Sequence, residues 1–330
     1  MKAFVVSEID DQLICDVGDR SATSDDPNDV LVRVEYSSVN FKDAMVAAAP
    51  SRVRRVSSLV GGVDAAGTVI VSHDENVAEG DRVAVHGGQL GVGRDGGFAT
   101  QVYAPSRYLS HLPETLSTFD AMIIGTAGFT AMASVLALED RGLSPGAQVL
   151  VTGATGGVGS QAVTYLAQKG YQPTASTGSP QSADWLRERG AARVIARDEI
   201  SDRLDRVLGT ERWDGAIDCV GGSTLQQILR SLRYGASVAA SGLVASAELD
   251  TTVYPFITRA VTLIGIDAVE APAATRVRVW QALGEIASTV EFSSFVDRVI
   301  SLYELPQALD DVRDGATRGR ILVDVNAAAP

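Results

Sequence analysis

The feature that most restricts the fold of this chain is a glycine-rich turn at residues 153–159, Gly-Ala-Thr-Gly-Gly-Val-Gly. The five residues before it are typical of a buried strand, and a helix is predicted from Val158 to Lys169, where Gly170 ends it. Glycines let the backbone approach a pyrophosphate, which the free N–H groups of a helix N-terminus bind. The spacing departs from strict G-x-G-x-x-G, so a tight turn that binds nothing is the alternative. We predict a dinucleotide-binding βα unit.

Strands and helices alternate after this turn. Such alternation is typical of a parallel, doubly wound sheet, so we predict the α/β fold class for this part of the chain. The predicted strands cover residues 172–177, 193–195, 215–220, 237–241 and 261–266, and the predicted helices cover residues 183–189 and 225–232.

The first 120 residues have a different pattern, in which short strands are separated by glycine turns. This pattern indicates a barrel or a sandwich. The predicted elements outside the alternating region are strands over residues 30–36, 67–71, 82–85, 99–103 and 320–325, and helices over residues 119–138 and 274–287.

Composition disfavours several classes of protein. A length of 330 residues predicts about two domains, and a net charge of -13 disfavours a nucleic-acid surface. We expect no apolar run near the roughly 18 to 20 residues of a membrane span, and the N-terminus has the pattern of a short strand instead of a signal peptide. Cys15 and Cys219 cannot form a four-cysteine zinc site and are expected to stay unpaired. We expect a cytoplasmic protein without nucleic-acid or membrane partners.

The strand after the glycine turn indicates which dinucleotide binds. An NAD site usually carries an acidic residue at the end of this strand, which bonds the ribose 2′-hydroxyl. Here residues 175–179 read Ala-Ser-Thr-Gly-Ser and contain no acid. Thr177 and Ser179 are candidate donors to a 2′-phosphate, and Arg197 is either a candidate cation or a solvated loop residue. The pattern favours NADPH over NADH.

Four stretches of the chain resemble one known family, the medium-chain dehydrogenase/reductase superfamily. Within it they resemble the acryloyl-CoA reductase branch of the quinone-oxidoreductase-like enzymes. The stretches are YSSVNFKDA at residues 36–44, AMIIGTAGFTAM at 121–132, GATGGVG at 153–159 and TTVYPFITR at 251–259.

The resemblance implies an architecture and an activity. It implies a Rossmann doubly wound parallel sheet over residues 122–267, and a GroES-like β-barrel catalytic domain over residues 1–121 that is completed by residues 268–330. It further implies zinc-independent, NADPH-dependent reduction of an activated carbon–carbon double bond, such as the enoyl thioester of acryloyl-CoA. A quinone or enone oxidoreductase on the same fold, and a non-catalytic NADPH-binding protein, are the alternatives.

The resemblance also implies roles for individual residues. The implied catalytic residues are Asn40, Phe41, Asp43 and Thr126. The implied cofactor-binding residues are Thr155, Gly156, Gly157 and Val158 at the pyrophosphate, Thr177, Gly178, Ser179 and Arg197 around the 2′-phosphate, Leu243 and Ile266 beside the nicotinamide, and Arg320 from the C-terminal segment.

The chain departs from the family pattern in three places. Phe41 stands where the family usually has a tyrosine, so the expected acid is missing. Ser179 stands where a basic residue is usual. The third departure is the segment of residues 47–60, which does not follow the family pattern. It carries three arginines that are candidates for CoA phosphates or else solvated loop residues: Arg52, Arg54 and Arg55.

Residues 39–43 and 61–64 indicate whether the chain binds a metal and which groups could take part in the reaction. Zinc-using relatives hold their metal with a cysteine near Asn40 and a His-Glu pair near Gly62. Here residues 39–43 and 61–64 contain neither cysteine nor histidine, so we predict no metal site. Asn40 or backbone N–H groups are candidates to stabilise an enolate. Asp43 is a candidate proton donor, or else a structural carboxylate that caps a helix or pairs with Lys42, and water is the other candidate donor.

The apolar run at residues 261–266 is predicted to be an edge strand. Pairing of this strand with its copy would form an isologous dimer with a continuous sheet. Relatives often dimerise in this way, so we predict a homodimer.

Overall fold

The computed structural model describes residues 1–10, 12–200 and 207–329, and the chain divides into two compact units. Unit 1 contains residues 1–126 and 268–330, and unit 2 contains residues 127–267. The domain boundaries predicted from the sequence lie after residues 121 and 267, and the first of them falls inside a helix.

Strands dominate unit 1 and alternate with helices in unit 2. In chain order the strands are β1 (Lys2–Ile9), β2 (Gln12–Asp19), β3 (Asp29–Val39), β4 (Ser58–Val60), β5 (Asp64–Val71), β6 (Arg82–His86), β7 (Gln101–Pro105), β8 (Leu109–His111), β9 (Gln148–Val151), β10 (Gln172–Thr177), β11 (Arg193–Ala196), β12 (Trp213–Asp218), β13 (Leu232–Ala240), β14 (Thr262–Gly265), β15 (Val296–Ile300) and β16 (Arg320–Asp324). The α-helices are α1 (Phe41–Val46), α2 (Thr118–Glu139), α3 (Gly157–Gln168), α4 (Ala183–Glu188), α5 (Gly222–Ser231), α6 (Tyr254–Arg259), α7 (Ala273–Ile286) and α8 (Leu305–Arg313). Short 3-10 helices cover Ser106–Tyr108, Pro180–Ser182, Arg197–Ile200, Phe292–Phe295 and Leu302–Glu304.

Unit 2 is built around a parallel sheet with strand order β11-β10-β9-β12-β13-β14. Its central strands are buried apolar runs, such as Val149, Leu150 and Val151 of β9, each 0% exposed. Strands buried on both faces need helices on both faces, which the alternating chain supplies. The predicted α/β class is confirmed. Because the strands are parallel, their carboxyl ends lie along one edge of the sheet.

Unit 1 contains a mostly antiparallel sheet, in the order β15-β16-β3-β5-β6-β8, and a three-stranded sheet, β2-β1-β4. The long strand β3 pairs with β16, β5 and β7, and the register of the β3–β5 pairing shifts at two irregularities. The core contains Phe4 and Phe98, whose rings meet edge to face at 6.2 Å. The chain thus returns from unit 2 to complete this sheet with β15 and β16.

The helix α2 breaks at Gly125, whose φ of +49° and ψ of -160° are far from helical values. The expectation that no apolar run approaches the length of a membrane span is wrong, because residues 121–138 carry no charged side chain. By length and composition α2 passes the test for a membrane span. Buried core helices pass the same test, and 83% of the most apolar stretch of α2 is buried. This burial is typical of a core helix.

Candidate active site

The glycine turn of unit 2 joins β9 directly to α3. Gly153 has a φ of +58°, a left-handed conformation that favours glycine. A Cβ on Gly159 would lie 2.4 Å from the Gly153 oxygen, so α3 packs onto the turn without room for a side chain. The residues assigned to the pyrophosphate, 155–158, lie between these two glycines at the N-terminus of α3. Backbone N–H groups and a helix dipole at this place suit a phosphate.

Asp218, at the end of β12, fixes the neighbouring turn and is absent from the residues predicted above. Thr152 Oγ1 donates to Asp218 Oδ1 at 2.6 Å, and the Gly221 N–H donates to Asp218 Oδ2 at 2.8 Å. Burial raises the pKa of Asp218 above its usual value despite these hydrogen bonds. The carboxyl group therefore joins the ends of β9 and β12. Its signal in the sequence is its place between a strand and the Gly221-Gly222 pair.

A cavity of about 520 Å³ opens at the ends of β10 and β11, where the adenosine end of a dinucleotide is expected. Arg197 lies against Gly178, since a Cβ on Gly178 would be 2.5 Å from the Arg197 guanidinium. Thr177, Gly178 and Arg197 line the cavity together with Asp198. Ser179 is not among the described residues that line it, and its N–H donates to Thr177 Oγ1 at 2.9 Å. Three of the four residues assigned to the 2′-phosphate thus meet at one cavity.

Leu243 and Ile266 follow β13 and β14, so they lie at the same edge of the sheet as the glycine turn. Leu243 is 55% exposed, and the Ile266 N–H donates to the Ala240 oxygen at 3.0 Å. The parallel sheet therefore brings the predicted unit 2 residues to one edge, as ligand sites of this architecture require.

In unit 1 the buried carboxylate of Asp64 is the centre of a polar cluster. Asp64 is 0% exposed, and the Arg320 guanidinium lies 3.6 Å from it. A buried charge is costly unless it is paired and hydrogen-bonded, which accounts for the density of donors around it. Asp64 is absent from the residues predicted above, and its signal in the sequence is its place beside the Gly61-Gly62 pair. The donors to Asp64, at 2.5 to 3.1 Å, are Ser38 Oγ, Asn40 Nδ2, and the N–H and Oγ1 of Thr126.

The side-chain amide of Asn40 is engaged in this cluster. Its Nδ2 donates to Asp64 Oδ2 at 2.8 Å and to the Ser38 oxygen at 3.2 Å, and its Oδ1 accepts from Arg320 at 3.1 Å. Both N–H bonds of the amide nitrogen are thereby used. Asn40 therefore orders the cluster, and the backbone N–H groups remain as the candidates to stabilise an enolate.

Asp43 and Phe41 lie in the first turn of α1 and differ in burial. Asp43 is 3% exposed and accepts from the Asn40 N–H at 2.8 Å and the Val63 N–H at 2.9 Å, one at each oxygen. Burial raises the pKa of Asp43 to about 7, with a further contribution from the charge of Asp64, although the two N–H bonds oppose the shift. This is the geometry of a helix-capping carboxylate. Phe41 is 38% exposed and offers no ionisable group.

The break in α2 turns Thr126 toward the cluster. A Cβ on Gly125 would lie 2.5 Å from Asp64 and 2.8 Å from Arg320, so only glycine lets the backbone pass this close. The Thr126 N–H on one side of the break donates to Asp64 at 3.0 Å, and the Ile123 oxygen on the other side accepts from Arg320 at 3.1 Å. The two charged side chains therefore bond backbone groups that flank the break.

Two of the arginines that were candidates to bind a ligand, Arg320 and Arg54, are held inside unit 1. Arg320 is 3% exposed, and its hydrogen bonds described above all lie within the unit. The Arg54 side chain is also 3% exposed, pairs with Glu8 and donates to the Val46 oxygen at 2.8 Å. Arg54 is therefore neither a solvated loop residue nor free for a phosphate. The exposed arginines of this segment are Arg52 and Arg55.

Two of the three histidines lie beside a charged side chain. His86 is 1% exposed beside Arg276, and burial, followed by the charge of Arg276, lowers the pKa of His86 to about 4. His111 lies 2.9 Å from Asp81. Among residues 1–10, 12–200 and 207–329, no group of three or more histidine, cysteine, aspartate or glutamate side chains has an arrangement that would hold a metal ion.

Two sequence-family models match the chain. The alcohol dehydrogenase GroES-like domain matches residues 26–114, which lie in unit 1. The zinc-binding dehydrogenase family matches residues 157–284, which begin at the glycine turn. The expectation of a GroES-like domain joined to a Rossmann-like parallel sheet is confirmed.

Known relatives match over nearly the whole chain. The putative quinone oxidoreductase YhfP of Bacillus subtilis (strain 168) is 45% identical over 304 residues, 92% of each chain. The acrylyl-CoA reductase AcuI of Ruegeria pomeroyi is 45% identical over 300 residues, 91% of each chain. The yhdH oxidoreductase from Salmonella enterica in complex with NADP has a TM-score of 0.93 and 38% identity, covering 99% of this chain and 100% of that one. Bacillus subtilis yhfP with NAD bound has a TM-score of 0.94 and 42% identity, covering 98% and 99%.

Proposed function

Because the chain belongs to the medium-chain dehydrogenase/reductase superfamily, we propose that it is a zinc-independent, NADPH-dependent reductase of an activated carbon–carbon double bond. The observation that carries the proposal is the carboxyl edge of the unit 2 sheet, where the glycine turn and Arg197 lie at the ends of nearby strands. The turn suits a pyrophosphate and the guanidinium suits a 2′-phosphate. One solved relative holds NADP and another holds NAD, so these two relatives do not distinguish the cofactors. The preference for NADPH therefore depends on Arg197.

The cavity beside Arg197 has the polar groups that an adenosine 2′-phosphate needs. Gln227 lines it, and its Oε1 is buried with no hydrogen-bond partner among the described residues. The amino group of an adenine would satisfy this acceptor. Asp198 also lines the cavity and would repel a phosphate, so the preference for NADPH depends on Arg197 outweighing it.

For the substrate we propose an enoyl thioester of the acryloyl-CoA type. The name of the Ruegeria pomeroyi relative supports this choice, and the name of YhfP supports a quinone or enone as the second candidate. Arg52 and Arg55 are exposed in the segment between α1 and β4, where they are available to the phosphates of a CoA ester.

The chain's own residues would position the alkene and provide for its protonation. Bound NADPH would supply a hydride from C4 to the β-carbon, which leaves negative charge on the carbonyl oxygen. Phe41 has no acidic proton, both side-chain N–H groups of Asn40 are engaged, and Asp43 is only 3% exposed and is held by a backbone N–H at each oxygen. These observations support water as the donor to the α-carbon. The cluster around Asp64 would then fix Asn40 and Thr126 in place without transferring a proton.

A binding titration followed by a substrate panel tests this function. NADPH and NADH are titrated against the chain, and NADPH oxidation is then followed with acryloyl-CoA, crotonyl-CoA and a simple quinone. We expect NADPH to bind at least roughly tenfold more tightly than NADH, and the thioesters to be reduced faster than the quinone. Tight NADPH binding without turnover of any alkene would leave the non-catalytic alternative. A preference for NADH would contradict the role of Arg197.

We also propose a cytoplasmic homodimer formed through β14, the last strand of the unit 2 sheet. Ile257 is 71% exposed and Leu263 is 37% exposed, so pairing across a two-fold axis would cover apolar surface as well as the strand edge. Light scattering at micromolar concentration should give the mass of two chains. Ile257→Asp should reduce this mass, whereas Ile14→Asp, at a 46% exposed position of unit 1, should not. A native mass of one chain would refute the dimer.

The two cysteines of the chain are unpaired, which supports the proposed cytoplasmic location.

A further inference from the structure

A groove in unit 1 is lined by none of the residues assigned to the cofactor or to the reduction. It has a volume of about 1130 Å³ and lies between β8, with the residues that follow it, and one face of α7. Ala273, Val277, Trp280 and Gly284 line it from α7 at the spacing of a single helix face. Val277 is 55% exposed. The groove is larger than the roughly 300–1,000 Å³ that is usual for small-molecule sites, so a small ligand would fill only part of it.

Two of the residues that line this groove carry a buried hydrogen-bonding atom. Ser110 is 6% exposed and Trp280 is 2% exposed, and Ser110 Oγ and Trp280 Nε1 have no hydrogen-bond partner among the described residues. Buried groups of this kind are almost always paired in native proteins. An indole N–H can only donate, and a hydroxyl can also donate. The groove therefore has the chemistry to hold an acceptor atom.

The charges at the groove disfavour an anion. Asp74, Glu114 and Glu285 place three carboxylates along it, against the guanidinium groups of Arg107 and Arg276. Arg276 is 2% exposed and donates to backbone oxygens of its own segment at 2.9 to 3.1 Å. Arg107 is thus the exposed cation among three carboxylates. An uncharged ligand fits these surroundings better than a phosphate or a carboxylate.

We propose that this groove binds a neutral, apolar carbonyl compound whose oxygen accepts hydrogen bonds from Trp280 Nε1 and Ser110 Oγ. None of the residues assigned to the cofactor or to the reduction takes part, so the site goes beyond the proposed function. The apolar body of the ligand lies against side chains that line the same groove: Val77, Leu109, Leu112, Pro113 and Val277.

Acetophenone and ethylbenzene are matched probes, because only the ketone has an acceptor and neither has an activated alkene. In the ¹⁵N-labelled full chain the three tryptophans give indole N–H signals, and Trp280→Phe assigns that of Trp280. We expect acetophenone, without NADPH, to shift the Trp280 signal saturably. The Trp213 signal should not move, although its Nε1 is also buried without a partner among the described residues. Ethylbenzene should bind roughly two- to tenfold more weakly.

Ser110→Ala provides a second test that does not alter the indole. It removes a hydroxyl that makes no hydrogen bond within the described chain, so the Tm of the ligand-free protein should not fall. Acetophenone affinity should fall roughly two- to tenfold. The proposal is overturned if millimolar acetophenone leaves the Trp280 signal unmoved, or if ethylbenzene binds as well as acetophenone. It is equally overturned if Ser110→Ala binds acetophenone as the native chain does.

Discussion

The carboxylate of Asp64 and the guanidinium of Arg320 lie 3.6 Å apart, and both side chains are at most 3% exposed. They come from β5 and β16, the two strands that flank β3 in the large sheet of unit 1. Each also bonds the backbone on one side of the break at Gly125. The pair therefore joins two strands and a broken helix through buried charge.

Removing one partner of this pair should be strongly destabilising, because it leaves the other charge buried and unpaired. We expect Asp64→Asn and Arg320→Met each to lower the free energy of unfolding by about 3–5 kcal/mol. The double variant should lose less than the sum of the two. Urea denaturation measures all three. Asp184→Asn is the control, since its pair with Arg187 has side chains 91% and 58% exposed and should contribute little. Strictly additive losses would show that the two charges are not coupled.

Gly159→Ala should abolish dinucleotide binding, because its Cβ would lie 2.4 Å from the Gly153 oxygen and force the turn away from α3. The strain should also cost about 1–3 kcal/mol of stability. NADPH titration and thermal unfolding measure the two effects. Gly18→Ala is the matched control, because a Cβ there meets nothing within 4 Å. If Gly159→Ala bound NADPH as the native chain does, the turn would not be the pyrophosphate site.

Arg197→Ala should weaken NADPH binding roughly 10- to 100-fold, since a charge-assisted contact to the 2′-phosphate is lost. NADH has no such phosphate, so its affinity should stay within about twofold. Cofactor fluorescence titrations give both values. Arg193→Ala is the control, because its side chain is 58% exposed and lies 3.5 Å from Glu199. An equal loss for both cofactors would mean that Arg197 supports the cavity without recognising the phosphate.

Asp43 should make stability depend on pH. Its pKa is about 7 in the folded chain against an ordinary value of 3.8, so over this interval the folded chain binds more protons than the unfolded chain. Its contribution to stability is therefore present at low pH and is lost as pH rises through about 7. Asp43→Asn does not titrate, so the stability advantage of the native chain over it should shrink from about pH 5 to about pH 8.

Urea unfolding of both chains at the two pH values measures this change. His86 has a lowered pKa of about 4, so its contribution is lost as pH falls, with the opposite sign. It is present in both chains and cancels in their difference. If the difference in the free energy of unfolding between the native chain and Asp43→Asn stayed constant with pH, the raised pKa of Asp43 would be contradicted.

The parallel sheet of unit 2 could be predicted because its strands are short apolar runs, each followed by a helix. The predicted strand over residues 172–177 has the observed bounds of β10. Strand β2 could not be found in this way, because its residues alternate only between half-buried and exposed positions. Strands β4 and β8 are three residues long, too short for a periodic signal.

The placement of the proposed nucleotide-binding residues at one edge of the sheet could also be predicted, because the glycine turn and the residues after each strand are local in the sequence. The cluster in unit 1 could not. Asp64 and Arg320 come together through the pairing of β5 and β16 with β3, which no local pattern records. In the sequence, Asn40 is only a residue whose side-chain amide can donate hydrogen bonds. The position of Asp64 beside it in the structure shows that these N–H groups are engaged.

Unit 1 consists of two segments that are separated in the chain by the whole of unit 2. Strand β16, which carries Arg320, is the last of the described strands and pairs with β3. During synthesis Asp64 therefore has no Arg320 to pair with until unit 2 has left the ribosome. Unit 2 is one continuous segment and has its strands available earlier, and such segments fold as units during translation. We expect the order of folding on the ribosome to invert the order of the chain, with the segment that is made first completing its core last.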